Sequence, residues 1–450
     1  GSESPQLLVE HAYNPIHRRY QYDPAGELVR TLDKLRGEIK YEYEANGQLH
    51  SRDTGKLVDS EEFRYDAAAN RLNFNTSRFD HVKDNRLKQW RDQEYSYDAW
   101  GNLIEKRSGL AKWQTFSYDC ENRLVRSETM LNSQLHSTST YQYDSLGRRV
   151  AKQSQVQGKT EHKRFLWQGL RMLREESPGQ SSLYVYEPGS YAPLSRVDQK
   201  EGEAENKVYY FHTDQIGTPL EMTDIDGQIV WQATYKAWGS LEALTVNEVE
   251  QNLRFQGQYF DEETGLHYNT FRYYDPEVGR FITQDPIGLE GGFNLYQYAP
   301  SAIGWIDPFG LTGFFTSSTF VAPSGSTHKV YQQVIDWDLP VNTRDGIRTK
   351  LELATEGRTP FVVKNGSYSQ LNLYHSKQDR LGALFELSAD THQKFGSSNA
   401  LHPHLPNQHS INPVDRDLFN GGRDAYWKGR AQSEIKSRNS GGTKISGGCG

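Results

Sequence analysis

Cysteine and long apolar runs are nearly missing from this sequence. Two cysteines in 450 residues, Cys120 and Cys449, are too few for a disulfide framework, so nothing in the chain demands an oxidising compartment. No uninterrupted apolar run reaches the roughly 18 residues that a membrane-spanning helix needs. Apolar residues make up only 35% of the chain, which suits half-buried strands better than a thick Leu/Ile core. No charged-then-apolar leader opens the sequence, and Gly1-Ser2 reads as a cloning remnant, so the natural chain is expected to extend upstream.

What the chain has in excess is tyrosine, 27 of them, within an aromatic share of 12%. Tyrosine favours strands. A length of 450 residues implies two or three domains. Charge divides unevenly along it. From Thr312 onward 16 Lys/Arg face 12 Asp/Glu, a balance of +4, so a net charge of −7 leaves −11 on the residues before it. An acidic body joined to a basic tail suggests two partners of different character, with a polyanion a candidate for the tail.

Six segments share one pattern: YQYDPAGELVR, YEYEANGQLHS, FRYDAAANRLN, YSYDAWGNLIE, FSYDCENRLVR and YQYDSLGRRVA. Their second aromatics are Tyr22, Tyr43, Tyr65, Tyr97, Tyr118 and Tyr143, spaced 21, 22, 32, 21 and 25 residues apart. Periods of this size mean a stacked array of supersecondary units. Each unit reads as a β-hairpin. Aromatic–x–Tyr alternates on one strand face, Asp or Glu followed by Gly or Asn makes the turn, and Leu/Val starts the return strand.

The pattern resembles the tyrosine–aspartate (YD) repeats of Rhs proteins over roughly residues 10–311. It continues through YYFHTDQIGTPLEMTDIDGQIVWQATYKAWG and RFQGQYFDEETGLHYNTFRYYDPEVGRFITQDPIGL. The resemblance implies a mainly β fold: a YD-repeat hairpin array forming part of a hollow shell that encloses a C-terminal segment. The expected domains are a core over 1–311, a linker or extended segment over 312–345, and a small α+β toxin domain with a flexible tail over 346–450.

One pentapeptide is nearly doubled, as Asp285-Pro-Ile-Gly-Leu289 and Asp307-Pro-Phe-Gly-Leu311. Asp-Pro-x-Gly is also a simple turn former, with Asp accepting backbone hydrogen bonds. Two carboxylates held close push their pKa values apart, so one can activate water while the other keeps a proton for the amide. In the family the chain cleaves itself just after the leucine that matches Leu311. The resemblance therefore implies a scissile bond between Leu311 and Thr312, with Asp285 and Asp307 as the carboxylate pair and Arg272 holding one of them ionised. The chain departs from related cores at Ser301-Ala302, where they usually have Asn-Pro.

The tail loses the YD pattern and opens on the Ser/Thr/Gly/Pro-rich TGFFTSSTFVAPSGSTHK. Five of the 14 histidines then fall close together: His375, His392, His402, His404 and His409. Clustered histidine with acidic neighbours points to a metal or acid–base site. Leu384–Leu387 reads as a short strand and Ser388 as an N-cap, with His392 on the first turns of a helix.

This block resembles the HNH/LHH-type toxin nucleases at the ends of Rhs proteins, over about 370–431. The resemblance implies a ββα-metal motif, with His375 as general base and one divalent ion (Mg, Mn or Zn) held by His392 and His402, with His404 as a substitute ligand. Tyr374 stands where relatives often carry another histidine. Arg416, Arg423, Lys428 and Arg430, beside Tyr426-Trp427, are candidates to neutralise phosphates; the same residues also fit a solvated helix with its aromatics packed inward.

The whole implies an Rhs-family antibacterial effector, exported from the producer cytoplasm by a type VI-like apparatus with a chaperone. Its shell would carry a metal-dependent DNase as a shell–toxin complex, release it by aspartate-based self-cleavage, and be countered by a cognate immunity protein. The competing function is a non-enzymatic YD-repeat adhesion protein with a variable tip, since aromatic faces stack on sugars as well as on each other.

Overall fold

The computed structural model describes residues 14–24, 27–72, 82–187, 191–286, 294–299, 301–310, 315–333, 335–364, 367–375, 384–388 and 414–439. It is dominated by antiparallel sheet. Five strands, from Arg18–Tyr22 to Glu61–Glu62, form one sheet in chain order. Fifteen more, from Gln89–Trp90 to Leu241–Asn247, form a second in which every strand pairs with its sequence neighbours.

The repeated motif explains this order. At the turns of Asp66, Asp98, Asp119, Asp144, Asp214 and Asp224 the Asp side chain accepts backbone N–H groups two and four residues ahead, as Asp98 does from Trp100 and Asn102 (both 2.9 Å). The residue three beyond the Asp adopts a left-handed φ, +81° at Gly101 and +59° at Asn122, which favours Gly or Asn there, although Ala69 takes +62° in the Asp66 unit.

The preceding tyrosine then ties each unit to the one before. Tyr43, Tyr65, Tyr118 and Tyr143 donate their hydroxyls to the carbonyls of Leu28, Leu49, Leu103 and Leu124 at 2.5–2.7 Å. Each of these leucines starts a return strand and is buried. Trp167, Tyr186 and Tyr235 make the same bond to Arg149, Met172 and Pro219, so the rule extends beyond the six quoted segments. Each bond contributes about 1 kcal/mol, and the array repeats it.

The first sheet meets the second through buried charge. Arg18 and Arg36 both pair with Glu221, which is fully buried. A four-stranded sheet follows, made of Tyr259–Asp261, Leu266–Asn269, Arg272–Asp275 and Arg280–Phe281. It packs its Tyr259, Tyr268 and Tyr273 into the core of the long sheet. Asp261 grips Arg149 with two bonds of 2.6 and 2.8 Å and also meets Lys152 at 3.0 Å. Burial alone would raise the Asp261 carboxyl, but the two cations hold it below its ordinary value.

The C-terminal part has a mixed sheet in the order Phe315–Val321, Thr327–Gln333, Leu384–Ser388, Ser367–His375, Phe361–Lys364. Thr327–Gln333 runs parallel to Leu384–Ser388. The stretch expected as linker or extended segment thus supplies two of these strands. A capping box of Thr349 and Glu352 starts the short helix Lys350–Thr355. The 24-residue helix Arg416–Asn439 covers the unit, burying Tyr426 and Trp427 against Leu371, Leu373 and Leu384. This part touches the long sheet at Asp336, whose carboxylate accepts from Tyr191 Oη (2.7 Å) and Leu170 N (3.2 Å). Beside it Leu339 packs with Tyr191 and Phe309.

Candidate functional site

The hairpin of Leu266–Asn269 and Arg272–Asp275 turns at Thr270-Phe271, with Asn269 directly opposite Arg272. Thr270 is left-handed at φ +55°, a conformation that a β-branched residue resists at a cost of about 1–3 kcal/mol. The neighbouring chain holds it there. Thr270 Oγ1 donates to the Pro308 carbonyl (3.2 Å), Phe271 N to the Phe309 carbonyl (3.1 Å), and Arg272 Nε to the Gly310 carbonyl. Three successive residues thus clamp three successive carbonyls of the segment leading to Leu311. The approach is close enough to need glycine on both sides. A Cβ at Gly257 would lie 2.1 Å from the Pro308 oxygen, and one at Gly310 would lie 2.5 Å from the Asn269 oxygen.

Asp285, Asp307 and Arg272 are all buried, with 5, 2 and 1% of their surfaces exposed. Arg272 Nη2 lies 3.5 Å from Asp285 Oδ2, while its Nη1 donates to the Leu295 carbonyl at 2.9 Å. The guanidinium carbon sits 3.6 Å over the Phe281 ring. Burial pushes Arg272 down to about 10, against the opposing pull of both Asp285 and Asp307, so it keeps its charge at neutral pH. Asp307 Oδ1 accepts from Phe309 N at 3.3 Å, as the turn-forming reading expects, and Asp307 N donates to Tyr298 Oη at 3.2 Å. Burial and the Asp307 charge both push the Tyr298 phenol upward.

The first copy of the pentapeptide thus brings its carboxylate to the Arg272 guanidinium, which also touches the Gly310 carbonyl and feels the charge of Asp307 in the second copy. Leu311 and Thr312 lie outside the described residues. Thr270, Gly257 and Tyr298 carry no mark in the sequence that sets them apart. The one local hint is a two-residue turn, Thr270-Phe271, written without glycine.

In the C-terminal part, His375 is the last residue of its strand and stands opposite Leu384, so the expected pair of strands is present. Tyr374 before it is buried. His392, His402, His404 and His409 lie outside the described residues. Among the described residues no three His, Cys, Asp or Glu gather as a metal group. His375 is the one member of the expected base-and-ligand set present there, so no donor set on the described surface fits a divalent ion.

On the long helix, Arg416 and Lys428 are exposed and Arg423 is half-buried. Arg430 instead turns to the fully buried Glu386, at 2.9 and 3.3 Å, and lies 5.4 Å over the Trp337 ring. A phosphate would have to compete with that pair. Tyr426 donates to the same Glu386.

Residues 15–302 match the family model described as the Teneurin YD-shell. Residues 349–433 match that of a nuclease of the HNH/ENDO VII superfamily with conserved LHH, and the strand end here reads Leu373-Tyr374-His375. The double-stranded DNA deaminase toxin A of Burkholderia cenocepacia is 40% identical over 77% of this chain and 26% of its own length. The probable deoxyribonuclease RhsA of Dickeya dadantii is 33% identical over 65% of this chain and 21% of its own. This chain thus spans about a quarter or less of these relatives. Among solved structures, the crystal structure of TcdB2-TccC3-TEV is similar at a TM-score of 0.42, with 19% identity over 66% of this chain and 18% of that one. The two relatives carry names of different activities, so their likeness assigns none.

Proposed function

The chain belongs to the Teneurin YD-shell family, and on that premise we propose that it is part of an Rhs-type toxin that cuts its own chain after Leu311 and carries an LHH-type DNase beyond the cut. The observation that carries the reading is the buried Arg272, which pairs with Asp285, donates to the Gly310 carbonyl and feels the charge of the equally buried Asp307.

Arg272 pairs with Asp285 and keeps it ionised, so Asp285 is the base and Asp307 the group that holds the proton. Asp285 takes a proton from water, and the water oxygen bonds to the Leu311 carbonyl carbon. The intermediate collapses by breaking the bond to the Thr312 nitrogen, which takes the proton from Asp307. The products are a Leu311 carboxylate and a Thr312 amine. The clamp on residues 308–310 holds the segment still while this happens, which is where positioning contributes to rate. After the cut, the contacts of Asp336 and Leu339 with Tyr191, Leu170 and Phe309 keep the two pieces together.

The nuclease reading rests on the match over 349–433 and on His375 at a strand end beside Leu384. His375 would take a proton from the attacking water. A divalent ion, when bound, supplies charge neutralisation at the phosphate. His392, His402 and His404 remain its proposed ligands, and Arg416, Arg423 and Lys428 the proposed phosphate contacts. Delivery by a secretion apparatus, a chaperone and a cognate immunity protein are proposals that rest on the family alone.

The test is plasmid DNA and, in parallel, tRNA incubated with the released 312–450 piece in Mg²⁺, Mn²⁺ or Zn²⁺. Degradation of plasmid that stops on chelation is expected. No degradation under any metal would remove the nuclease reading.

A further inference from the structure

Asn269 is completely buried, and among the described residues neither its side-chain nitrogen nor its side-chain oxygen has a hydrogen-bond partner. Leaving a buried amide unmade costs about 1–3 kcal/mol, so such a group needs a reason to persist. Its place supplies one. Asn269 is paired directly with Arg272 across the hairpin, and opposed residues of an antiparallel pair send their side chains to the same face. On that face Arg272 meets Asp285 and the Gly310 carbonyl. The Asn269 backbone oxygen in turn lies against Gly310, whose lack of a Cβ leaves room for it. Leu311 is the residue bonded next to Gly310 in the chain.

We propose that the Asn269 carboxamide is a catalytic hydrogen-bond donor for self-cleavage, its Nδ2 group serving the Leu311 carbonyl oxygen as negative charge develops there. The inference rests on the self-cleavage reading above and deepens it. When water adds to the Leu311 carbonyl carbon, the electron pair of the C=O bond moves to oxygen, and Asn269 donates to that oxygen. When the bond to the Thr312 nitrogen breaks, the pair returns and the donor is freed. Asp285 and Asp307 handle the protons; Asn269 moves none. A preorganised donor in a site closed to water is worth most where charge appears only in the transition state.

The test is a cell-free translation of the full chain, stopped with a synthesis inhibitor and followed by the loss of the intact 51.6 kDa band. Removing one such donor slows acyl transfer about 100- to 1,000-fold. Asn269→Ala is therefore expected to cut at least about 100-fold more slowly than wild type. Asn269→Asp keeps the size of the side chain, and covers the case in which the alanine chain fails to fold. Its carboxylate cannot donate at neutral pH, so it is expected to be slow there and to regain rate in acid, where the protonated carboxyl becomes a donor. A packing role would not produce that acid recovery.

If wild type cuts, Asp285→Asn and Asp307→Asn do not, and both Asn269 variants cut at the wild-type rate, the Asn269 proposal is overturned and the self-cleavage reading stands. A slow Asn269→Asp chain that gains no rate in acid overturns the proposal in the same way. If wild type does not cut, or the two Asp variants cut as wild type does, the self-cleavage reading fails and this proposal falls with it.

Discussion

The two halves of the molecule solve the problem of burying strands differently. In the long sheet every strand pairs with its sequence neighbours, and one local rule of Asp turn and Tyr–carbonyl tie is applied again and again. In the C-terminal sheet the central pairing, Thr327–Gln333 beside Leu384–Ser388, joins segments about fifty residues apart and in parallel. The first kind of sheet is assembled from short-range contacts, and the second must close a long loop before its central pairing forms. A local rule can be written into sequence and read back from it. A distant pairing leaves no local mark.

The contrast can be broken or sharpened by substitution, beginning with the largest effect. His375→Ala should lower nuclease turnover by about 100- to 10,000-fold, the usual value of a positioned general base, while thermal unfolding of the chain stays unchanged. Unaltered DNA degradation would show that the base lies elsewhere on the C-terminal half.

In the β-shell half, Arg149→Met leaves the carboxylate of Asp261 buried with Lys152 alone, and should destabilise that half by about 3–5 kcal/mol. Denaturant unfolding checks this. Pairing the change with Asp261→Leu should restore much of the loss, because the unpaired charge is then gone as well. Failure of the double variant to recover would mean that the pair contributes more than mutual neutralisation.

Lys350 gives the C-terminal half a pH dependence. Burial pushes its ammonium down to about 8, with Asp336 pulling the other way, and only 5% of the residue is exposed. An ordinary lysine titrates near 10.4, so the folded state sheds this proton before the unfolded chain does. The burden is complete below pH 8 and fades as pH rises toward 10. Lys350→Met should therefore stabilise the fold by at most about 3 kcal/mol at neutral pH, with the gain shrinking as melts are repeated at higher pH. A gain independent of pH would contradict the assignment.

The smallest effect belongs to the repeat. Tyr118→Phe removes one hydroxyl tie to Leu103 and should cost about 1 kcal/mol. Tyr65→Phe should cost the same, by denaturant midpoint, if the ties are equivalent.

The same contrast explains what could be read in the sequence. The spacing of Tyr65, Tyr97 and Tyr118 is enough to expect hairpins, because each turn is closed by its own Asp. Asp285, Asp307 and Arg272 are legible as a set through the doubled motif and the family resemblance. The clamp is not, since a left-handed Thr270 is held by Pro308, far along the chain. Phe315–Val321 and Thr327–Gln333 read as linker or extended segment because Ser, Thr, Gly and Pro suit loops. The two strands pair with each other across a short turn, and the second is held in the sheet by a parallel partner, Leu384–Ser388, far along the chain. Arg430 looks like one of a row of surface cations, and nothing near it in sequence announces Glu386, 44 residues upstream.

The central claim is that one half of the chain cuts the other free. Intact-mass spectrometry of the purified chain tests it most directly. Wild type is expected to give two masses that meet between Leu311 and Thr312 and travel together under native conditions, while Asp285→Asn and Asp307→Asn each give a single 51.6 kDa chain. An uncut wild-type chain, or the same cut in both variants, would contradict it.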